Sequence, residues 1–206
     1  MPESIDRPYQ IICEGKDDCA FFSRLVRNRH LEGFQVGGDH GKDLFHLRIA
    51  HIQNFATVPI RGYVIIADND DDPADRFDNA CKQLRKMKLP VPPFPYQIQT
   101  GTDGTRTAVL TIPDENVEGG LETLLISCCD GLTQHAACID QFCACVMTPR
   151  RKIDADKLRL RATIASYQLD DPSVSILFWV GEERRPFEMT HTALNRIADF
   201  LATFAL

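Results

Sequence analysis

Arg61-Gly62-Tyr63-Val64-Ile65-Ile66-Ala67, followed by Asp68-Asn69-Asp70-Asp71-Asp72-Pro73, is the stretch on which the fold reading turns. Residues 61–67 form a short apolar run rich in β-branched side chains and stopped by a charged turn. That pattern predicts a strand buried on both faces. A helix is expected to follow from about Ala74 to Lys88. Upstream, Tyr9–Cys13 reads as a second buried strand that stops at Glu14-Gly15. From Asp17 to about Arg29, Cys19, Phe21, Phe22, Leu25 and Val26 recur at helical spacing between basic residues, as on an amphipathic helix. Gly33–Val36 reads as a third strand, closed by Gly37-Gly38, and Lys42–Asn54 as a further helix. Strands alternating with helices predict an α/β layer fold built on a parallel sheet. Ligands of such sheets bind at the carboxyl ends of the strands.

Beyond the Pro-rich loop Leu89–Pro95, Tyr96–Thr100 and Thr107–Ile112 flank Gly101-Thr102-Asp103-Gly104, which predicts a hairpin. The remainder is mostly helical in pattern: about Leu121–Cys129, His135–Val146, Ala155–Gln168 and His191–Phe204. Val174–Val180 is apolar throughout and reads as strand or buried loop, with Phe178 and Trp179 packing the C-terminal part. The expected organisation is a core over residues 1–125 and a helical extension over 126–206 packed on it, or one single domain. The first residues lack the basic and apolar regions of a signal peptide. No apolar run approaches the ~18–20 residues that span a bilayer. A cytoplasmic protein without a membrane partner is the expectation.

The chain has 206 residues, 44% hydrophobic and 25% charged, which excludes a disordered tail, a fibre or a disulfide-stapled miniature. Its net charge is −6, which argues mildly against a protein that coats DNA through Lys and Arg. The charge is uneven. Residues 14–18 carry three acids and one Lys, residues 68–78 six Asp and one Arg, and residues 114–122 four acids. Those segments total −11, so the rest of the chain is +5. Residues 150–161 alone hold six Lys and Arg against two Asp.

Of the eight cysteines, five lie between Cys128 and Cys145 with His135 among them. Zinc prefers paired C-x₂₋₄-C knuckles, which this cluster lacks, so small buried side chains are the plainer reading and a zinc site the alternative. Gly37–Asp43 fails the Walker A spacing at Val36 and Asp43, which argues against an ATP loop. The histidines show no metal-ligand pairing, and only His40 falls near a predicted strand end. Arg150-Arg151-Lys152 with Lys157, Arg159 and Arg161 reads as a phosphate-binding surface or as a solvated helix face. Lys42 beside the glycine pair has the same two readings.

Two strands end in carboxylates. Glu14 ends the first, and Asp18 lies four residues on at the helix start, placed to turn back toward it. Asp68 and Asp70, two apart in an extended segment, are expected to aim the same way. Carboxylates converging in this manner repel one another unless a cation joins them, and Mg²⁺ or Mn²⁺ takes oxygen ligands. The alternative for Asp68–Asp72 is a capped, solvated turn.

Glu14-Gly15-x-Asp17-Asp18 after one strand and Asp68-x-Asp70 after a later one resemble the Toprim domain. That domain is shared by topoisomerases, bacterial primases, small maturation nucleases and the OLD (overcoming lysogenization defect) nucleases. The OLD-type branch is the most similar. It matches Asp18, the Gly120-Leu121-Glu122 element opening a later helix, and a Lys beyond that helix, Lys157 first and Lys152 second. The match covers about residues 8–125. From Lys157 to the terminal helix the chain also resembles small stand-alone Toprim proteins of unknown function. One departure is Gly120, where a Ser would supply a hydroxyl.

The resemblance implies a Rossmannoid parallel sheet flanked by helices, with a mostly helical C-terminal extension. It also implies hydrolysis of nucleic acid, expected to be DNA, assisted by one or two Mg²⁺ or Mn²⁺ ions. Glu14, Asp18, Asp68, Asp70 and Glu122 are the expected ligands. Lys157 joins Glu14, Asp68 and Asp70 as a catalytic group, stabilising charge on the phosphate. Lys42, Arg151 and Lys152 are expected on the substrate phosphates. No Tyr suits a topoisomerase nucleophile. OLD-type nucleases often work with an ATPase module, so a partner ATPase or a homodimer is implied, as is a role against mobile DNA. The competing classes are a primase-like nucleotidyl transferase and a non-enzymatic metal- and nucleic-acid-binding partner.

Overall fold

Short apolar runs and amphipathic segments alternate along the first half of the chain, and the secondary structure follows them. The computed structural model describes residues 4–38, 41, 44–129, 135–146, 152–167 and 188–206. The chain runs through β1 (Tyr9–Ile12), α1 (Lys16–Asn28), β2 (Phe34–Gly37), α2 (Phe45–Phe55), β3 (Gly62–Asp68) and α3 (Pro73–Lys86). It continues through β4 (Gln99–Thr100), β5 (Arg106–Ile112), α4 (Leu121–Cys129), α5 (Ala136–Val146), α6 (Lys152–Tyr167) and α7 (Asn195–Phe204). The result is a Rossmann-like α/β fold with five strands and, among the described residues, seven α-helices.

The strands are ordered β2-β1-β3-β5-β4. Every pair is parallel except the β4–β5 hairpin. From β1 the chain crosses to one side to form β2, then returns past β1 to form β3 on the other. The reversal leaves a crevice outside the carboxyl ends of β1 and β3, the switch point at which open α/β sheets bind ligands.

β3 alternates between two cores because successive side chains of a strand face opposite ways. Val64 and Ile66 face the core made with α1, α4, α6 and α7, whereas Tyr63, Ile65 and Ala67 face α2 and α3. The larger core draws on residues from Tyr9 to Phe204, so both halves of the chain share it. Residue 125 lies inside α4, between two other buried residues of that helix. A Cβ at Gly62 would lie 2.7 Å from a ring atom of Phe204, so the absent side chain makes room for that ring against β3. The Tyr9 hydroxyl donates to the Ala205 carbonyl (3.1 Å) and Arg106 to the Phe204 carbonyl (2.9 Å), satisfying exposed acceptors at the end of α7.

Helix starts follow capping chemistry. Asp72 accepts from the Asp75 amide at 3.0 Å with Pro73 at the first helical position, so α3 begins one residue before the sequence reading. α2 starts at Phe45, three residues later than that reading. The expected strand 96–100 shortens to Gln99–Thr100. Tyr96 follows the proline loop with φ +56°, outside strand geometry, although its amide still donates to Val109 at 3.0 Å. Val174–Val180, Phe178 and Trp179 lie outside the described residues. No described helix is long and apolar enough to cross a membrane. Phe204 is fully buried, so Phe204→Ala should lower unfolding free energy by about 3–5 kcal/mol, read as a shifted urea midpoint.

Candidate functional site

The β1 ladder ends at Ile12, paired with Ile65 of β3, so the chain beyond it emerges beside the end of β3. Glu14 therefore stands in the turn after β1 rather than on the strand itself. The Asp68 amide donates to Glu14 Oε1 at 3.2 Å, which locks the two strand ends together through a side chain. Gly41 donates to the Glu14 carbonyl at 3.1 Å. Asp18, in the first turn of α1, accepts from the Gly15 amide at 3.0 Å, the returning arm of a capping box. One oxygen of Asp68 accepts from the Leu121 amide at 3.0 Å and so caps α4 from another strand.

Gly120 explains how α4 comes so near. A Cβ there would lie 2.6 Å from the Asp68 carboxyl carbon, inside any tolerable contact. The place where the family resemblance calls for a hydroxyl is thus filled by the Asp68 carboxylate. That leaves α4 to offer backbone N–H and Glu122 instead.

These elements enclose an open cleft of about 590 Å³. Glu14, Asp17, Asp18, Asp68 and Glu122 line it with two cations, Lys16 and Lys157. Burial raises every one of these carboxylates. Glu14 is pushed to about 7 by desolvation, with Asp18 and Asp70 adding repulsion and Arg76 opposing it. Asp18 rises to about 6 through desolvation and its acidic neighbours Glu122 and Asp17. Asp68 lies well above the usual carboxylate range, from burial and then from Asp18, Glu14 and Glu122. Glu122 is raised by burial, and Lys157 moderates the shift. Asp17 is raised by burial and moderated by Arg161.

Asp70 departs from the extended geometry expected of it. Its φ is +48°, in the left-handed region, and its backbone forms a two-way bridge to Gly119 at 2.7 and 2.8 Å. Between it and Asp68, the buried Asn69 donates to the carbonyls of Asp114 (2.6 Å) and Val117 (2.7 Å). The alternation breaks at this turn. The Asp70 carboxylate lies 3.7 Å from Arg76 Nε rather than on the wall of the cleft.

Arg76 was missed in the sequence. It sits in α3 and is 6% exposed, pairs with Glu14 through Nη2, and donates from Nε to the Asp68 carbonyl at 3.0 Å. The available signal was a lone Arg within a segment of six Asp. The basic stretch is divided among partners: Lys157 faces Glu122, Arg161 acts on Asp17, and Arg159 pairs with Asp140 at 3.1 Å. Lys42, Arg151 and His40 lie outside the described residues, as does the side chain of Lys152.

Cys128 and Cys129 are buried in the larger core, and Cys138 and Cys145 are exposed on α5. Among the described residues, no three His, Cys, Asp or Glu side chains stand close enough to share one ion. The acids ring the cleft instead of closing on a point.

The family model described as Protein of unknown function (DUF3226) matches residues 8–205. The chain belongs to that family. No curated protein and no solved structure matches it. The matched span includes the whole of the larger core and every residue of the cleft.

The raised carboxylates set the pH response of the metal-free chain. Glu14 and Asp18 hold protons in the folded state that the unfolded chain releases from 4.5 and 3.8 upward. Stability therefore falls as pH rises from about 4.5 to about 7, and Asp68→Asn should flatten that slope in melting curves taken with EDTA. Gly120→Ser should lower the melting temperature and displace Asp68, since no room exists for the added atoms.

Proposed function

We propose that the chain is a Toprim-type hydrolase that cleaves phosphodiesters of nucleic acid with the help of Mg²⁺ or Mn²⁺. The observation that carries this reading is the switch-point cleft, where four acids singled out in the sequence meet Lys157. Raised carboxylates packed together favour uptake of protons or of a cation. Their oxygens are hard donors, which suit Mg²⁺ and Mn²⁺. Mg²⁺ in particular does not require a closed cage of three acids. This ion commonly uses one or two carboxylates and completes its shell with waters and substrate phosphates.

In this reading Asp68 together with Asp18 or Glu122 would hold the cation, the hydrogen bonds of Asp18 and Asp68 described above each using one carboxylate oxygen. A divalent cation there supplies Lewis-acid polarisation of the phosphoryl oxygens and a water of lowered pKa. Lys157 places a positive charge across the cleft from the strand ends, where it stabilises charge developing on the phosphate. Lys16 adds a second positive charge to the lining of the cleft. Glu14, buried and raised to about 7, keeps its carboxylate on Arg76 and the Asp68 amide and so fixes the spacing of the strand ends. A cytoplasmic location and a nucleic-acid partner, DNA first, belong to the same proposal.

Supercoiled plasmid incubated with the chain should be nicked in Mg²⁺ or Mn²⁺ and left intact in EDTA. Asp68→Asn and Glu122→Gln should abolish nicking, and Lys157→Ala should slow it by about 10²–10³-fold. Equal behaviour of the wild type and all three variants would sink the hydrolase reading. Nucleotide incorporation on a single-stranded template would move it to the primase class.

A further inference from the structure

Arg76 is a cation that the fold has already placed at the edge of this acidic site. It projects from the second turn of α3 and is more than nine-tenths buried. Its guanidinium reaches three groups at once: the Glu14 carboxylate, the Asp68 carbonyl at 3.0 Å and the Asp70 carboxylate at 3.7 Å. Such a planar fork of donors suits this geometry, whereas a Lys ammonium is a point charge. A buried charge persists only when paired, so Arg76 and Glu14 hold one another in place.

The consequence is a division of the acids. Glu14 and Asp70 lie on the Arg76 side, tied to α3 and to the turn after β3. Asp18, Asp68 and Glu122 line the cleft with Lys157, at the starts of α1 and α4 and the end of β3. Asp68 stands between the sets. It offers its carbonyl to Arg76 and its carboxylate to the start of α4.

We propose that Arg76 is the positioning residue of this site and takes the place of a second metal ion. Held by Arg76, Glu14 and Asp70 are fixed counter-charges rather than metal ligands, and a single divalent cation enters on Asp68 with Asp18 or Glu122. The proposal rests on the metal-assisted reading above and assigns its stoichiometry.

Mn²⁺ titration of the full chain, followed by calorimetry and by the electron paramagnetic resonance signal of free Mn²⁺, tests it without reference to turnover. Wild type should take up one equivalent. Glu14→Gln, a change behind the ligands, should weaken Mn²⁺ binding by no more than about ten- to a hundredfold, while Asp68→Asn, which removes a ligand, should weaken it further. Arg76→Met should bind a second equivalent on the carboxylates it frees. Since that variant leaves Glu14 without its partner, Arg76→Met with Glu14→Gln serves beside it and should fold and bind one equivalent, circular dichroism reporting the fold. A purely structural Arg76 would alter stability without altering stoichiometry. Two equivalents in wild type, or equal losses from Glu14→Gln and Asp68→Asn, overturn the role of Arg76 and leave the hydrolase reading standing. No Mn²⁺ uptake by wild type overturns the metal reading itself.

Discussion

Carboxylates cannot be crowded at the ends of two adjacent buried strands unless something answers their charge, and the rest of this structure is arranged around that constraint. Glu14 and Asp68 emerge where β1 and β3 part, at the reversal of the sheet. One bond between them, from the Asp68 amide to Glu14 Oε1, joins the strand ends. The Glu14 carboxylate is answered by Arg76, and that of Asp68 by the first amide of α4. Deleting either answer would leave a desolvated charge, which costs more than any single surface contact returns.

The helices take their positions from the same requirement. α4 approaches because Gly120 has no side chain, and its approach brings Glu122 to the cleft. α1 begins at a turn that Asp18 closes on the Gly15 amide. α6 brings Lys157 and Arg161 opposite the acids of α1 and α4 while Leu160 and Ile164 pack into the core. α7 lies far from the chemistry in sequence, yet Phe204 fills the space that Gly62 leaves on β3. The helical C-terminal part is thus built into the same core as the strands that carry the acids.

The acidity is concentrated in three short segments rather than spread along the chain. Glu14, Asp17, Asp18, Asp68 and Glu122 from these segments line the switch-point cleft, while Asp114 and Glu115 pair with Arg196. Of the cations of α6, Lys157 lines that cleft, Arg161 acts on Asp17, and Arg159 pairs with Asp140. Lys16 and Lys157 share the lining of the cleft with these carboxylates. Repulsion among the carboxylates is what a bound cation would relieve.

The strands, most helices and the gathering of acids at the strand ends were legible in the sequence, whereas Glu14 falls in the turn after β1 instead of ending the strand. Apolar runs of strand length, the 3.6-residue spacing and the Glu-Gly turn are local properties of the chain. Alternation of strand and helix then directs strand ends to one edge of the sheet. What the chain alone could not show was decided by contacts between segments distant in sequence. Asp70 left the extended path because its backbone paired with Gly119, and Tyr96–Ile98 left the ladder after a proline loop. Gly120 reads in the sequence as the loss of a hydroxyl, and only the fold packs the Asp68 carboxylate against it. Arg76 had no periodic signature, since its partners Glu14 and Asp70 lie on separate turns. Local propensity fixes which residues reach the edge of the sheet. Which of them then pair with one another is set by burial, where every charge must find a partner that only the packed chain supplies.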